Sequence, residues 1–284
     1  MNDLMENKAA VLGLGIIGSR AFSRLVDAGW QVACWNRTPQ GLGGEAASPE
    51  AAIEDVAVIS LYLKDAPATR EVIGRIQPFL KPGQILLNHA TLDLETTRWL
   101  EKLCVACGCH FLDTPFTGSK TAAGNGQLFY YVAGDEELAS SLEPYLRITS
   151  KGQLYCGEAG AATVLKLATN LISACTVQAL AESLAIATRH GISPERLIRA
   201  VSENACASGL SGMKLPTMAE GNFETHFSLS NMGKDSRYML ALAESAGLET
   251  PAIAAVSKRM EALAAEGLGD LDYSAVAKPY LQTS

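Results

Sequence analysis

Lys166 and Asn170 lie four residues apart in a chain of 284 residues, and their types and spacing can do chemistry. On a helix that spacing puts both side chains on one face, one turn apart, so the amide can orient the ammonium. A protonated lysine can give its proton to a carbonyl oxygen as negative charge develops there, and can stabilise that charge before transfer. In the reverse oxidation the same amine must be neutral, which burial or a nearby cation favours. A lone lysine on a helix is usually a solvated side chain, so the rest of the chain must show what surrounds this one.

The second chemical signal is the run Gly13-Leu14-Gly15-Ile16-Ile17-Gly18, a GxGxxG pattern that follows the apolar run Ala9–Gly13. Gly13 permits a tight turn, Gly15 admits a pyrophosphate to the backbone, and Gly18 lets helix and sheet pack closely. The helix that opens there presents free N–H groups and its positive dipole end. The second strand run ends at Asn36-Arg37-Thr38. A carboxylate at this place binds the ribose hydroxyls of NAD. Here a neutral amide is followed by a guanidinium, which can grip a 2′-phosphate with two prongs. The expected cofactor is therefore NADP rather than NAD, bound through Gly13, Leu14, Gly15, Ile16, Ile17, Gly18, Asn36, Arg37 and Thr38.

Other chemistries are disfavoured. Cys104, Cys107 and Cys109 form a CxxCxC run, but no second Cys or His cluster with ligand spacing completes a tetrahedral site, so no metal is expected. His89, His110, His190 and His226 are scattered, and no Ser/His/Asp grouping emerges. The net charge of −7 and pI of about 5.2 leave no cationic excess to displace phosphate counterions, so no nucleic-acid partner is expected. No run of about 18 apolar residues stands out, so no membrane span is expected. Residues 1–10 hold acids and no apolar core, unlike a secretory leader. Seven cysteines, an odd number, suit reduced thiols in a cytoplasmic protein.

These groups need a frame. Hydrophobic residues make up 48% of the chain, which excludes a disordered polymer, and the length suits roughly two domains. Strand-like runs at Ala9–Gly13, Gln31–Trp35, Val56–Leu61, Gln84–Asn88, His110–Asp113 and Gln127–Val132 alternate with helical patterns. Ser48-Pro49 starts one helix, Asp93–Ala106 and Asp135–Leu146 are others, and Gly29 and Gly108 end two. Alternation of this kind implies a parallel sheet covered on both faces. From Ala159 to His190 the chain lacks Pro and, after Gly160, Gly; as one helix it would span ~45 Å. Helices are expected throughout the remainder of the chain, with Ser193-Pro194 and Thr250-Pro251 as starts and loops at Gly209–Gly212 and Glu220–Phe227. The expected fold is α/β: a Rossmann-type doubly wound parallel sheet in residues 1–158, then an all-α domain in residues 159–284 entered by a long interdomain helix.

Taken together, these residues resemble the β-hydroxyacid dehydrogenase family, which includes 3-hydroxyisobutyrate dehydrogenases and tartronate semialdehyde reductases. The resemblance rests on Gly13–Gly18, on Asp113-Thr114-Pro115-Phe116-Thr117-Gly118-Ser119, on Gly157-Glu158-Ala159-Gly160 with Leu165–Asn170, and on Lys234-Asp235. Within the family the chain is most similar to the glyoxylate/succinic semialdehyde reductases, through Gly118-Ser119-Lys120, Asn125–Leu128 and the run from Gly267 to Val276. The resemblance implies Lys166 and Asn170 as catalytic residues, and Thr117, Gly118, Ser119 and Asp235 as substrate-binding residues. It adds Leu63, Thr91 and Lys234 to the cofactor contacts. It also implies an active site in the cleft between the domains, a small aldehyde acid or hydroxyacid as substrate, and a homodimer or homotetramer joined through the helical domains.

Two departures stand out. Thr117 replaces the usual Ser, keeping the hydroxyl but adding a methyl, and Asn88-His89-Ala90-Thr91 replaces a segment that more often holds Asp and Ser or Thr. Three rival readings are disfavoured. A 3-hydroxyisobutyrate-type dehydrogenase working oxidatively with NAD is at odds with Asn36-Arg37-Thr38. Imine reductases commonly carry Asp or Tyr, and non-catalytic binding relatives often Met, where this chain has Lys166.

Overall fold

The computed structural model describes residues 7–281, so most of the segment read as lacking a leader lies outside the described residues. The chain falls into two compact units, one up to Lys166 and one from Leu167 onward. In the first, strands and helices alternate: β1 (Lys8–Leu12), α1 (Gly18–Asp27), β2 (Gln31–Trp35), α2 (Pro49–Ala52), β3 (Val58–Leu61), α3 (Ala66–Ile76), β4 (Ile85–Asn88), α4 (Leu94–Ala106) and β5 (His110–Asp113). After them come β6 (Phe116–Thr117), α5 (Lys120–Gly124), β7 (Leu128–Gly134), α6 (Glu136–Ser141), α7 (Glu143–Arg147) and β8 (Ser150–Gly157). Most helix starts have a local cause. Ser48, Asp65, Asp93, Ser119 and Asp135 each accept a backbone N–H of the first turn of the helix they precede.

The sheet runs β2-β1-β3-β4-β5-β7-β6, with β8 beside β7. From β2 to β5 every pair is parallel, and β1, β3 and β4 are almost wholly buried, mainly apolar runs, as expected of inner strands in a parallel sheet. Strand order reverses at β1, where sequential β2 lies on one side and β3 on the other. This is the switch point at which ligands bind in such sheets. Beyond β5 the sheet departs from the expected all-parallel form: β7 runs antiparallel to β5 and β6, and β8 joins β7 in parallel. The sequence reading missed β6 and β8. β6 is two residues long, and β8 is an edge strand with one buried residue whose composition, SKGQLYCG, shows no alternation. The helix expected over Asp135–Leu146 is two, α6 and α7, meeting at Leu142 just before Pro144. The core gathers Val11, Leu25, Ile85, Leu87, Leu112, Leu128, Tyr130 and Val132.

His89, in one of the two departures, has a structural reason. Its ring is buried, stacks on Tyr62 with centroids 4.3 Å apart, and reaches Thr114 and the Ser60 hydroxyl through its two nitrogens. Burial pushes its pKa down to about 3, so the ring is neutral and fills the interior.

The second unit is helical. α8 (Ala161–Arg189) leads into α9 (Pro194–Ser202), α10 (Gly209–Ala219), α11 (Leu229–Ser245) and α12 (Pro251–Leu263). Leu167, Ala174, Val177, Ala181 and Leu184 of α8 form a core with Leu215, Met218, Met232, Met239, Ile253 and Met260. Two expectations are corrected here. Gly209–Gly212, read as a loop, is the first turn of α10, because Ser208 and Ser211 form a reciprocal capping box that offsets the glycines' poor helix propensity. In addition, α8 is by length and composition apolar enough to cross a membrane, contrary to the reading that no such run exists. Part of that apolarity packs into the helical core and part is exposed, as at Ile172 and Ile186, while Lys166, Asn170 and Glu182 interrupt the run.

Candidate active site

The glycine turn lies at the switch point. The Gly13 N–H donates to the Trp35 carbonyl at the end of β2, and the Tyr62 N–H donates to Leu12 O, so the ends of β1, β2 and β3 are tied together. The three glycines are not equivalent. A Cβ on Gly13 would lie 2.4 Å from the Tyr62 carbonyl oxygen, and one on Gly18 would lie 1.9 Å from Gly13 O. Both are demanded by the protein's own packing. A Cβ on Gly15 would meet no protein atom within 4 Å, and Gly15 does not have a positive φ. The fold therefore does not require glycine there, and what its absent side chain leaves open is the approach to the helix N-terminus. The N-cap of α1, Ile17, makes no side-chain cap, and the Ser19 and Arg20 N–H groups donate to Gly15 O and Ile17 O, so an incoming anion would meet the backbone N–H groups of the turn before them and the positive end of the helix. The residues fit the pyrophosphate of a dinucleotide. The Gly15→Ala variant should hold its thermal midpoint within about two degrees, yet lose tenfold or more in NADPH affinity, as overpacking of about 1–3 kcal/mol implies. Fluorescence titration beside thermal unfolding would check both, and unchanged affinity would remove the pyrophosphate from this turn.

Around the turn, Leu63 lies against Gly13. Asn36 is spent on the protein: its Oδ1 accepts the Leu14 N–H at 3.0 Å and its Nδ2 donates to Thr38 O at 2.8 Å. It shapes the turn and the loop after β2. Arg37 extends from that loop and is 66% exposed, and its Nη2 pairs with Glu71 Oε2 of α3 at 2.6 Å. So exposed a pair adds little stability, and a phosphate can recruit the guanidinium at small expense. Thr38 is exposed and Thr91 half-buried.

The segment after β5 presents Thr117 and Gly118 to solvent, while the Ser119 hydroxyl accepts the Ala122 N–H as the cap of α5. Thr117 thus offers a hydroxyl at a strand end, and Ser119 keeps one O–H to donate. Lys166 is half-buried on α8.

In the helical unit the structure brings together three of the residues singled out from the sequence. Asn170 Nδ2 donates to Asp235 Oδ2 at 2.8 Å, and Lys234 Nζ pairs with Asp235 Oδ1 at 2.8 Å while lying 4.9 Å from the centre of the Tyr238 ring. Asp235 is fully buried, with both oxygens engaged, so it acts on its surroundings by holding Asn170 and Lys234. With its amide nitrogen committed to Asp235, Asn170 has its carbonyl oxygen to offer an ammonium one turn away.

Sequence reasoning named Asp113 only as the start of the Asp113–Ser119 run and passed over Thr163. Asp113, at the end of β5, is 0% exposed, and its Oδ2 accepts both the N–H and the Oγ1–H of Thr163 at 2.8 Å. Burial pushes its pKa up to about 6, against the bonds from Thr163 that hold it lower. A carboxylate closing the apolar run HFLD was the available signal. Gly160, just before α8, has φ +96°, a conformation that favours glycine. Near CxxCxC, burial pushes Cys104 up to about 12, which keeps it a thiol; among the described residues no three His, Cys, Asp or Glu side chains are grouped to hold a metal.

Known proteins align with this chain across both units. Residues 8–160 match the family described as the NAD binding domain of 6-phosphogluconate dehydrogenase. Residues 160–280 match that described as NAD-binding of NADP-dependent 3-hydroxyisobutyrate dehydrogenase. Glyoxylate/succinic semialdehyde reductase 2, chloroplastic, of Arabidopsis thaliana is 32% identical over 276 residues, covering 93% of this chain and 77% of the relative. Reductase 1 of the same plant is 29% identical over 275 residues, covering 93% and 95%. A solved 3-hydroxyisobutyrate dehydrogenase from Mycobacterium tuberculosis, with L-serine, has a TM-score of 0.89 at 23% identity, covering 97% of this chain and 99% of that one, and shows the shared fold.

Proposed function

The chain belongs to the β-hydroxyacid dehydrogenase (3-hydroxyisobutyrate dehydrogenase-related) family of NAD(P)-dependent oxidoreductases acting on CH–OH groups, and from that premise we propose that it reduces small aldehyde acids to hydroxyacids with NADPH. Glyoxylate and succinic semialdehyde are the substrates this reading favours, after the activities for which the two plant relatives are named. The observation that carries it is the presence of Lys166 on α8, one turn before an Asn170 whose amide is held by the buried Asp235.

When bound, the nicotinamide supplies the hydride. The chain's own residues do the rest. Lys166 gives its proton to the carbonyl oxygen and stabilises the charge that forms there. Asn170 orients the ammonium. Thr117, the Gly118 backbone and Ser119 hold the substrate carboxylate through hydroxyl and N–H donors. Gly13–Gly18 receive the pyrophosphate, and Leu63, Thr91 and Lys234 flank the cofactor.

Arg37 supports NADP over NAD, since a guanidinium favours a 2′-phosphate and no carboxylate ends β2. Replacing Arg37 with Ala should raise KM for NADPH about tenfold or more, the worth of a charge-assisted hydrogen bond, and KM for NADH less than about twofold. Equal rises for both would argue for a solvated arginine and an NAD enzyme. The wider test is a panel of aldehyde acids and hydroxyacids with NADPH, NADH and their oxidised forms. Preference for hydroxyacid oxidation with NAD would replace this reading with a 3-hydroxyisobutyrate-type dehydrogenase. Exposed Val164, Ile172 and Ile186 on α8 support a homodimer or homotetramer built on this helix. Seven free cysteines support a reducing, cytoplasmic setting.

A further inference from the structure

We propose that Glu71 is a specificity-determining residue: its carboxylate competes with the cofactor's 2′-phosphate for the Arg37 guanidinium, and so holds down the preference for NADPH over NADH. The inference rests on Arg37 being the 2′-phosphate ligand. Glu71 lies on α3, and its Oε2 accepts a hydrogen bond from Arg37 Nη2 at 2.6 Å. The loop after β2 is where a nucleotide-binding sheet usually supplies a carboxylate to the ribose. Here β2 ends at Trp35, and the Asn36 amide that follows is spent on Leu14 and Thr38. The carboxylate that reaches this place comes instead from α3, 34 positions after Arg37.

The pair is not needed to hold α3 in place. The same helix carries two other ion pairs, and each is built as a structural tie. Arg75 grips Glu50 of α2 with two N–H donors, at 2.8 and 3.0 Å, and its guanidinium lies 5.5 Å from the centre of the Trp35 ring. Arg70 bonds both Glu95 and Thr96 of α4 and lies 4.7 Å from the centre of the Trp99 ring. Arg37 and Glu71 share a single hydrogen bond and are 66% and 54% exposed. The backbone around Arg37 is nonetheless well fastened. Asn36 accepts the Leu14 N–H, and Glu45 accepts those of Gln40, Gly41 and Leu42. The guanidinium is thus presented from a fixed stem to a carboxylate that stands in solvent. A phosphate that takes the guanidinium must displace that carboxylate or share the cation with it, a dianion facing a third negative charge. At so exposed a place the opposition is worth a factor of a few. NADH carries a hydroxyl at the same atom, which neither competes for the cation as a charge nor repels the carboxylate.

The test compares Glu71→Gln, Arg37→Ala and the two changes combined with the parent chain. Dissociation constants for NADPH and NADH are read by fluorescence titration, at low and at high ionic strength, beside the thermal midpoint. Glu71→Gln keeps the size of the side chain and its acceptor oxygen but removes the charge. At low salt it should tighten NADPH about three- to fivefold, the worth of an exposed charge pair, and move NADH less than about 1.5-fold. Salt at about 0.5 M, which screens exposed charges, should shrink the gain below about twofold. In the Arg37→Ala background the same change should tighten NADPH less than about 1.5-fold, since no cation is left to compete for. The midpoint should stay within about two degrees of the parent's, as for other exposed substitutions. Unchanged or weaker NADPH binding in Glu71→Gln overturns the proposal, and so does a gain shared equally by NADH. A gain of full size without Arg37 removes the competition. A midpoint that falls together with affinity for both cofactors marks a structural tie and overturns it as well. If Arg37→Ala weakens NADPH and NADH alike, the underlying reading of Arg37 fails instead, whatever Glu71→Gln does.

Discussion

Replacing Lys166 with alanine should lower kcat for aldehyde-acid reduction by ~100-fold or more while leaving NADPH affinity within about twofold. The asymmetry follows from what the amine does. The glycine turn and the loop after β2 are the proposed seats of the cofactor's phosphates, and neither includes Lys166. In the proposed role the amine acts on the reacting oxygen, where a proton donor and a cation are worth most as charge appears. KM for the aldehyde acid should move less than kcat, because the interaction strengthens only in the transition state. Lys166→Arg keeps a cation but binds its proton too tightly to give it up, so its kcat should stay well below the parent's. Steady-state kinetics with NADPH titration settle the point. An alanine variant with parental kcat would require another donor.

The largest effect on stability should come from Asp272→Ala, a loss of about 3–5 kcal/mol, the usual consequence of orphaning one member of a buried ion pair. Lys214 of α10 and Asp272 are 6% and 2% exposed and 2.6 Å apart. Asp272 also accepts the backbone N–H groups of His226, Phe227 and Ser274 and the Ser274 hydroxyl. One carboxylate therefore joins α10, the loop before α11 and the short helix Tyr273–Ala277. Burial raises its pKa, but the hydrogen bond and charge of Lys214 outweigh this and hold it below the usual carboxylate range. The stabilisation is present above the unfolded value and is lost as pH falls through the lower folded one. Without Asp272 the Lys214 ammonium is left buried against the Tyr273 ring, 4.7 Å from its centre. Urea unfolding of the full chain measures the loss. The double variant Lys214→Met with Asp272→Asn should recover much of it, since no charge is then stranded. A single-variant loss below about 1 kcal/mol would mean that solvent reaches the pair.

This pair also explains the run from Gly267 to Val276. As a string it marked a likeness without evident chemistry. Folded, it places Asp272 as the hub that ties the earlier helices of the second unit to its C-terminal segment.

The strands β2 and β5 were legible to the residue, and β1, β3 and β4 nearly so, because each is built on a short apolar run. Helix starts at Ser48, Asp93 and Ser193 were legible because a cap is a local hydrogen bond. β8 was not, since an edge strand is chosen by its partner β7 and not by its own pattern. The glycine turn could be read from spacing, but which of its glycines the fold needs could not. That depends on Tyr62, which β3 delivers from nearly fifty residues later.

The linear order of residues was enough to specify the nucleotide-binding turn, the long helix and the amine and amide one turn apart upon it, because each is set by neighbours within a few positions. Asn170 held by Asp235, Arg37 paired with Glu71 and Thr163 gripped by Asp113 depend on residues brought together across 65, 34 and 50 positions. No local rule reaches that far. Such contacts exist only once burial has packed sheet and helices, and burial is also what moves Asp113 away from its ordinary ionisation, while the partner that packing delivers to Asp272 moves that carboxyl in the opposite direction.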